Sequence, residues 1–324
     1  MTMTKSSRTS KNASPTPPSE QPAESEVAGK KPRQKASIGR IAAWVLLWVL
    51  LLITLFPFYW MLRTSLSNNL SLAGNPGNPF PVDFTLGAYK RVLGLATTEE
   101  SMAEGGSGAS IDFWLYLRNS VIVATLITVG QVVFCSMAAY AFARLKWTGR
   151  DLVFGILLCA LMVPVIFTTI PNFITIRDLG LLNTHLGIAL PTMLMTPFAI
   201  FFLRQFFLGI NREVEEAAIL DGAGHIRRFT SIALPLTGSP IATLAILTYI
   251  NSWNEYFWPL VVGRAEDVRV LTVALGVFRS QTPQGGPDWA GLMAATLIAA
   301  LPVIILFLLL GKRIINSIGY SGTK

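Results

Sequence analysis

Charge is what this sequence has least of. Only 14% of its 324 residues are Asp, Glu, Lys or Arg, where a soluble domain carries about 25%. Hydrophobic residues make up 52%, and the mean hydropathy is +0.52. Composition alone reads as an integral membrane protein. Histidine is scarcer still. The two present, His185 and His225, fall in separate loops, so neither a metal pair nor a proton relay can be built from them. The two cysteines, Cys135 and Cys159, lie inside apolar runs. They imply no disulfide framework and no metal site, and read as small buried hydrophobes. No G-x-x-x-x-G-K-[ST] phosphate loop occurs, so ATP is not bound here through a Walker site. No serine sits in a G-x-S-x-G elbow. The apolar runs hold almost no ionisable residue, whereas proton- and sodium-driven carriers use such groups within the membrane. The chain therefore reads as neither catalytic nor ion-coupled.

The apolar runs supply the architecture. A membrane span needs about 20 apolar residues. Six runs approach this: Ile41–Leu62, Val121–Ala143, Leu152–Ile176, Leu186–Leu203, Phe229–Asn254 and Trp289–Gly311. The third holds Pro164 and Pro171, and the fourth holds Pro191 and Pro197. Prolines in spans are expected to kink them, with neighbours satisfying the freed carbonyls. A further apolar run, Val270–Phe278, is too short to span and is expected to be re-entrant or packed on the surface. Residues 1–36 are rich in Ser, Thr, Pro, Lys and Glu. They cannot bury enough apolar surface to offset their ordering entropy, so they read as a disordered cytoplasmic tail ahead of a six-span membrane domain at 37–324.

The net charge of +8 does not point to nucleic acid, because the basic residues sit at run ends and in the tail. With the N-terminus inside, 18 of the 26 Lys and Arg fall on the inner side, the asymmetry that orients membrane proteins. Six spans return the C-terminus to the same side. Trp60, Trp114, Trp258 and Trp289 then fall near outer span ends, as an aromatic belt does.

One polar stretch interrupts this pattern, at 204–235. Its centre is Glu216-Ala217-Ala218-Ile219-Leu220-Asp221-Gly222-Ala223, followed by Phe229, Ile232, Leu234 and Pro235. It reads as a short helix. Asn211 can cap its start, and Glu213 and Glu215 sit in the first turn where the helix dipole favours them. Ala217 and Ala218 keep it thin enough for a partner to approach. Gly222 suits the left-handed residue that ends a helix, and Pro235 can open the next one.

These residues resemble the EAA loop of binding-protein-dependent ABC importer permeases. The order Glu-Ala-Ala, Asp-Gly-Ala, Ile-x-Leu-Pro is kept without a gap. The resemblance extends to Arg118-Asn119-Ser120, Ala138-Ala139-Tyr140-Ala141-Phe142-Ala143-Arg144, Ser252-Trp253-Asn254-Glu255-Tyr256 and Ala300-Leu301-Pro302. These look like the maltose-permease G-type branch of carbohydrate importers, over roughly residues 40–324. The resemblance implies an all-α integral membrane protein with six transmembrane helices and the type I ABC importer permease fold. It implies import of a di- or oligosaccharide by alternating access, with another solute such as glycerol phosphate as the rival. The implied partners are a second homologous permease subunit, two ATPase subunits that bind ATP and Mg, an extracytoplasmic sugar-binding protein and membrane lipid. No cofactor is expected in this chain itself.

By the same resemblance, Glu216, Ala217, Ala218, Leu220, Asp221 and Gly222 form the ATPase-coupling interface, with Glu216 its carboxylate. Glu215, about 100° around the helix, is expected to matter less. Trp253, Asn254, Glu255 and Tyr256 join aromatic faces to hydrogen-bonding groups and are candidates for the translocation path; the bland alternative is a belt and packing patch. Arg279, Ser280 and Gln281 open a Gly-rich loop expected to touch the binding protein. The C-terminal residues 317–324 match the family's small-residue tail only loosely.

Overall fold

The computed structural model describes the backbone of residues 38–106, 112–280 and 287–319, with side chains for 39–106, 112–280 and 287–309. Among these residues all regular structure is helical. The principal helices are α1 (Ile38–Ser65), α2 (Phe113–Arg144), α3 (Arg150–Ala160), α4 (Val165–Asp178), α5 (His185–Met193), α6 (Pro197–Leu208), α7 (Arg212–Leu220), α8 (Gly238–Asn254), α9 (Leu271–Ser280) and α10 (Trp289–Gly319). The chain divides into two units, one ending at Ile53 and one beginning at Thr54. The described part of the first is the start of α1. Its large side chains, Trp44, Leu47 and Leu52 among them, are all exposed, which suits contact with lipid rather than water.

The second unit is organised around α2. Its side chains at Ser120, Val123, Ala124, Ile127, Gln131, Cys135 and Ala139 are buried. That stripe follows the three-and-four spacing of one helix face. Asp112 caps the helix by accepting the Leu115 N–H at 3.1 Å. α8, α6 and α5 pack on α2. At Gly130 the approach leaves no room for a side chain: a Cβ there would lie 2.7 Å from the Met193 carbonyl oxygen.

Three helices, α1, α2 and α10, are each long and apolar enough to cross a membrane. The other three apolar runs are not straight. α3 and α4 meet at 103°, α5 and α6 at 47°, and His225–Leu236 and α8 at 78°; each pair passes the same test jointly, giving up to six spans. Of the prolines expected to kink these runs, Pro164 and Pro197 stand at outright breaks, while Pro171 and Pro191 lie inside α4 and α5. Pro164 is the N-cap of α4, and Pro197 occupies the first turn of α6. Proline lacks the N–H a helix interior needs, and it drives the preceding residue out of the helical region. Before Pro235, residues Phe229–Ala233 form a π-helical turn, a local widening found where a helix carries strain or a site.

The short apolar run becomes α9, packed through Leu271, Val273, Ala274 and Phe278. Of the cysteines, Cys135 is buried as expected but Cys159 is exposed on α3. An apolar setting in sequence does not distinguish a protein-facing from a lipid-facing position.

Candidate functional site

The polar stretch folds as α7. The Asn211 side chain accepts the Glu213 N–H at 3.1 Å and starts the helix. Gly222, at φ +78°, ends it. The Ala223 N–H donates to the Ala218 carbonyl and the Gly222 N–H to the Ile219 carbonyl, both at 2.9 Å. This pair of hydrogen bonds closes the helix C-terminus in the Schellman arrangement.

The helix is held from within by Arg144, the last residue of α2. Its Nε donates to the Phe207 carbonyl at 2.8 Å, and its Nη2 donates to the Ile210 carbonyl. Its Nη1 lies 3.7 Å from Glu215 Oε2. Beneath the pair, Tyr140 packs edge-on to Phe207 at 5.8 Å and tilted against Phe229 at 5.2 Å. Glu215 Oε1 and the Tyr140 hydroxyl are buried with no hydrogen-bond partner among the described residues.

This fixes the two faces of α7. Glu215 and Ala218 are buried, while Glu216, Ala217, Leu220, Asp221 and Gly222 are exposed. Leu220 is 90% exposed, and Ile226 just beyond is 80% exposed. Glu216 has no partner among the described residues. An apolar and acidic face thus stands clear of the chain, on a helix fastened from behind. Glu215, expected to be the lesser of the two glutamates, is a structural anchor. The sequence signal for this anchor is Arg144, which ends the Ala138–Arg144 motif and stands among the inner basic residues, but neither reading pairs it with Glu215.

A second feature lies among the broken helices. A cavity of about 350 Å³ is bounded by α2, α4, the α5–α6 break, α8 and residues 257–259. Its wall mixes Thr168, Asn172, Thr192, Asn251 and Ser252 with Phe198, Phe257 and Trp258. Gln131 of α2 cross-links this region. Its Nε2 donates to the Thr192 carbonyl at 2.9 Å, and its Oε1 accepts from Thr248 Oγ1 at 2.9 Å. Three helices are joined by one buried amide. Glu255 is the single ionisable residue on the cavity wall among the described residues. Its Oε1 accepts the N–H groups of Phe257 and Trp258 at 3.0 and 3.2 Å.

The structure does not bring the four path candidates together. Glu255 lines the cavity. Trp253 is buried on another side, its Nε1 donating to the Ala299 carbonyl at 3.2 Å. The Asn254 Nδ2 donates back to the Ile250 carbonyl, 2.8 Å away, and the Tyr256 ring lies over Gly276. Gln131, Asn172 and Asn251 went unnoticed in the sequence because an uncharged amide does not interrupt an apolar run. Arg279 and Ser280 end α9 on the surface; Gln281 lies outside the described residues.

Broken spans around a cavity of mixed apolar and polar lining, with an exposed helix braced beneath them, define a membrane permease. Residues 131–319, more than half of the chain, match the family described as binding-protein-dependent transport system inner membrane component, and the chain belongs to that family. It is a multi-pass membrane transporter rather than an enzyme. It is 32% identical over 274 residues to the trehalose/maltose transport system permease protein MalG of Thermococcus litoralis, covering 84% of this chain and 92% of that one. It is 35% identical over 212 residues to the arabinooligosaccharides transport system permease protein AraQ of Halalkalibacterium halodurans, covering 65% and 75%. To the sn-glycerol-3-phosphate transport system permease protein UgpE of Salmonella typhi it is 34% identical over 210 residues, covering 64% and 74%. A chain from the crystal structure of a bacterial ABC transporter involved in the import of the acidic polysaccharide alginate superposes with a TM-score of 0.72 and 26% identity, covering 86% of this chain and 97% of that one.

Proposed function

We propose that this chain is one of two permease subunits of an ATP-driven importer for a neutral di- or oligosaccharide. The observation that carries the substrate class is the cavity wall. It joins amide and hydroxyl groups to aromatic faces, the combination that suits a sugar ring, and its one ionisable residue is a carboxylate. Glycerol phosphate would meet repulsion from Glu255 and no cation on that wall among the described residues. Relatives named for arabinooligosaccharides and for trehalose and maltose support the same reading.

In this reading two ATPase subunits bind ATP and Mg, and the exposed face of α7 around Glu216 seats in one of them. Closure of the ATPase pair pushes α7. The push reaches α2 through Arg144 and Glu215, and the broken helices rock between inward- and outward-open forms. An extracytoplasmic binding protein delivers the sugar at the opposite end, where Arg279, Ser280 and Gln281 meet it. Both termini are cytoplasmic; the tail expected at residues 1–36 lies outside the described residues.

The test is uptake of labelled oligosaccharides and of labelled glycerol 3-phosphate by cells with and without this chain. Loss of one oligosaccharide on deletion is the expected result. Loss of glycerol 3-phosphate uptake alone would overturn the sugar assignment.

A further inference from the structure

The end of α1 carries a charge that the transport reading does not use. Arg63 is only 2% exposed, the largest fully buried side chain among the described residues. Its Nε donates to the Phe80 carbonyl and its Nη2 to the Asn75 carbonyl, both at 3.2 Å. Its guanidinium lies 5.1 Å from the Trp60 ring centre. No carboxylate reaches it within 4.0 Å among the described residues, and Nη1 has no hydrogen-bond partner there. A cation buried without a counter-charge is costly. Two carbonyls and a ring face offset part of that cost and leave the net charge in place.

The same guanidinium forms a wall of a cavity of about 330 Å³, together with Trp60, Thr64, Asn69, Trp289 and Met293. The Thr64 hydroxyl is also without a partner among the described residues. Asn69, by contrast, is spent on the Gly105 and Pro287 carbonyls and the Ala290 N–H. The cavity therefore offers a cationic N–H fork and a hydroxyl at one side, and apolar surface at the other. It sits at the ends of α1 and α10, whose apolar windows have mean hydropathies of 2.5 and 2.8. Trp60 and Trp289 flank it, and tryptophans at span ends mark headgroup depth.

We propose that this cavity binds the phosphodiester of a membrane phospholipid, with Arg63 and Thr64 holding the phosphate oxygens and Trp60, Trp289 and Met293 packing on the glycerol and first acyl carbons. Arginine suits this task because its planar fork matches phosphate geometry. The membrane layer places phospholipid at this depth at all times, whichever side of the membrane the cavity faces. Free inorganic phosphate has the same anionic chemistry but nothing to fill the apolar half.

The test uses the full chain, purified and delipidated, with native mass spectrometry and thermal unfolding as readouts. The probes are dioleoylphosphatidylglycerol, the phosphate-free dioleoylglycerol, and inorganic phosphate. Two variants are compared with the unaltered chain. Arg63→Gln removes the charge, and Met293→Trp fills the cavity while leaving the bonds of Arg63 to Asn75 and Phe80 in place. The expected result is phosphatidylglycerol retained about tenfold more tightly by the unaltered chain than by either variant, Arg63→Gln through loss of a charge-assisted contact and Met293→Trp through loss of the cavity. Dioleoylglycerol should not be retained. Should Arg63→Gln fail to fold, Met293→Trp alone decides. Equal retention of phosphatidylglycerol by a folded Met293→Trp overturns the site, and stabilisation by inorganic phosphate equal to that by the lipid overturns the lipid as its occupant.

Discussion

Arg144 and Glu215 meet across 3.7 Å with side chains only 7% and 12% exposed. One ends the longest described helix of the core, and the other lies in the first turn of the exposed α7. The arginine also holds the carbonyls of Phe207 and Ile210. A single side chain thus ties the exposed helix to the span beneath it and to the end of α6. Force applied to α7 has a stiff path into α2.

Breaking this pair should cost stability first and transport second. Removing one partner of a buried pair leaves an uncompensated charge, at about 3–5 kcal/mol. Glu215→Lys should therefore lower the thermal unfolding midpoint of the purified chain. Arg144→Ala should lower it at least as far, since two carbonyls also lose their donor. Midpoints unchanged in both variants would remove the anchor role.

Glu216 should behave in the opposite way. It is exposed and unpaired among the described residues, so Glu216→Lys should change stability by no more than about 0.5 kcal/mol. Co-purification of the ATPase subunits should fall and sugar uptake should be abolished. A desolvated interfacial charge pair loses about 2–5 kcal/mol on truncation. A reconstituted Glu216→Lys complex that hydrolyses ATP and imports sugar normally would show that Glu216 is only a solvated surface charge.

Gly222 is held at φ +78°. A β-branched residue there should cost about 1–2 kcal/mol and misdirect the chain towards Gly224. Gly222→Val should reduce uptake and lower the unfolding midpoint, while Gly222→Asn should be milder because Asn tolerates the left-handed region. Equal effects from Val and Asn would show that the backbone conformation is not what matters.

Gln131 joins α2, α5 and α8 through Thr192 and Thr248. Gln131→Leu keeps the volume but strands the Thr248 hydroxyl and the Thr192 carbonyl. The expected cost is about 1–3 kcal/mol, read as a lower unfolding midpoint, together with a changed rate of sugar uptake. A variant with wild-type stability and uptake would mean the amide is a passive wall.

Orientation is checked by cysteine labelling with a membrane-impermeant reagent in intact cells, on a background with Cys159 replaced by Ser. A probe at Leu95, which is 72% exposed, should react. A probe at Lys146, in the segment between α2 and α3, should react only after the cells are opened. The reverse pattern would invert the topology.

The sequence by itself determined what depends on neighbours along the chain. Long apolar runs declare themselves by composition, because lipid demands an unbroken stretch of apolar side chains. The caps at Asn211 and Gly222 are local events, set by one side chain and one backbone angle, so the limits of α7 were legible. Tertiary structure decided what depends on helix phase and on distant partners. Glu215 and Glu216 are adjacent and alike in type, and only the position of Arg144, far away in sequence, turns one inward and leaves the other free. The prolines announced departures from straight helices, but not bends of 103° and 78°, because the direction a broken span takes is set by the helices packed against it. The cavity was hidden for the same reason. Gln131, Asn172 and Asn251 lie far apart along the chain, and each is an ordinary residue until the fold brings them to one wall with Glu255.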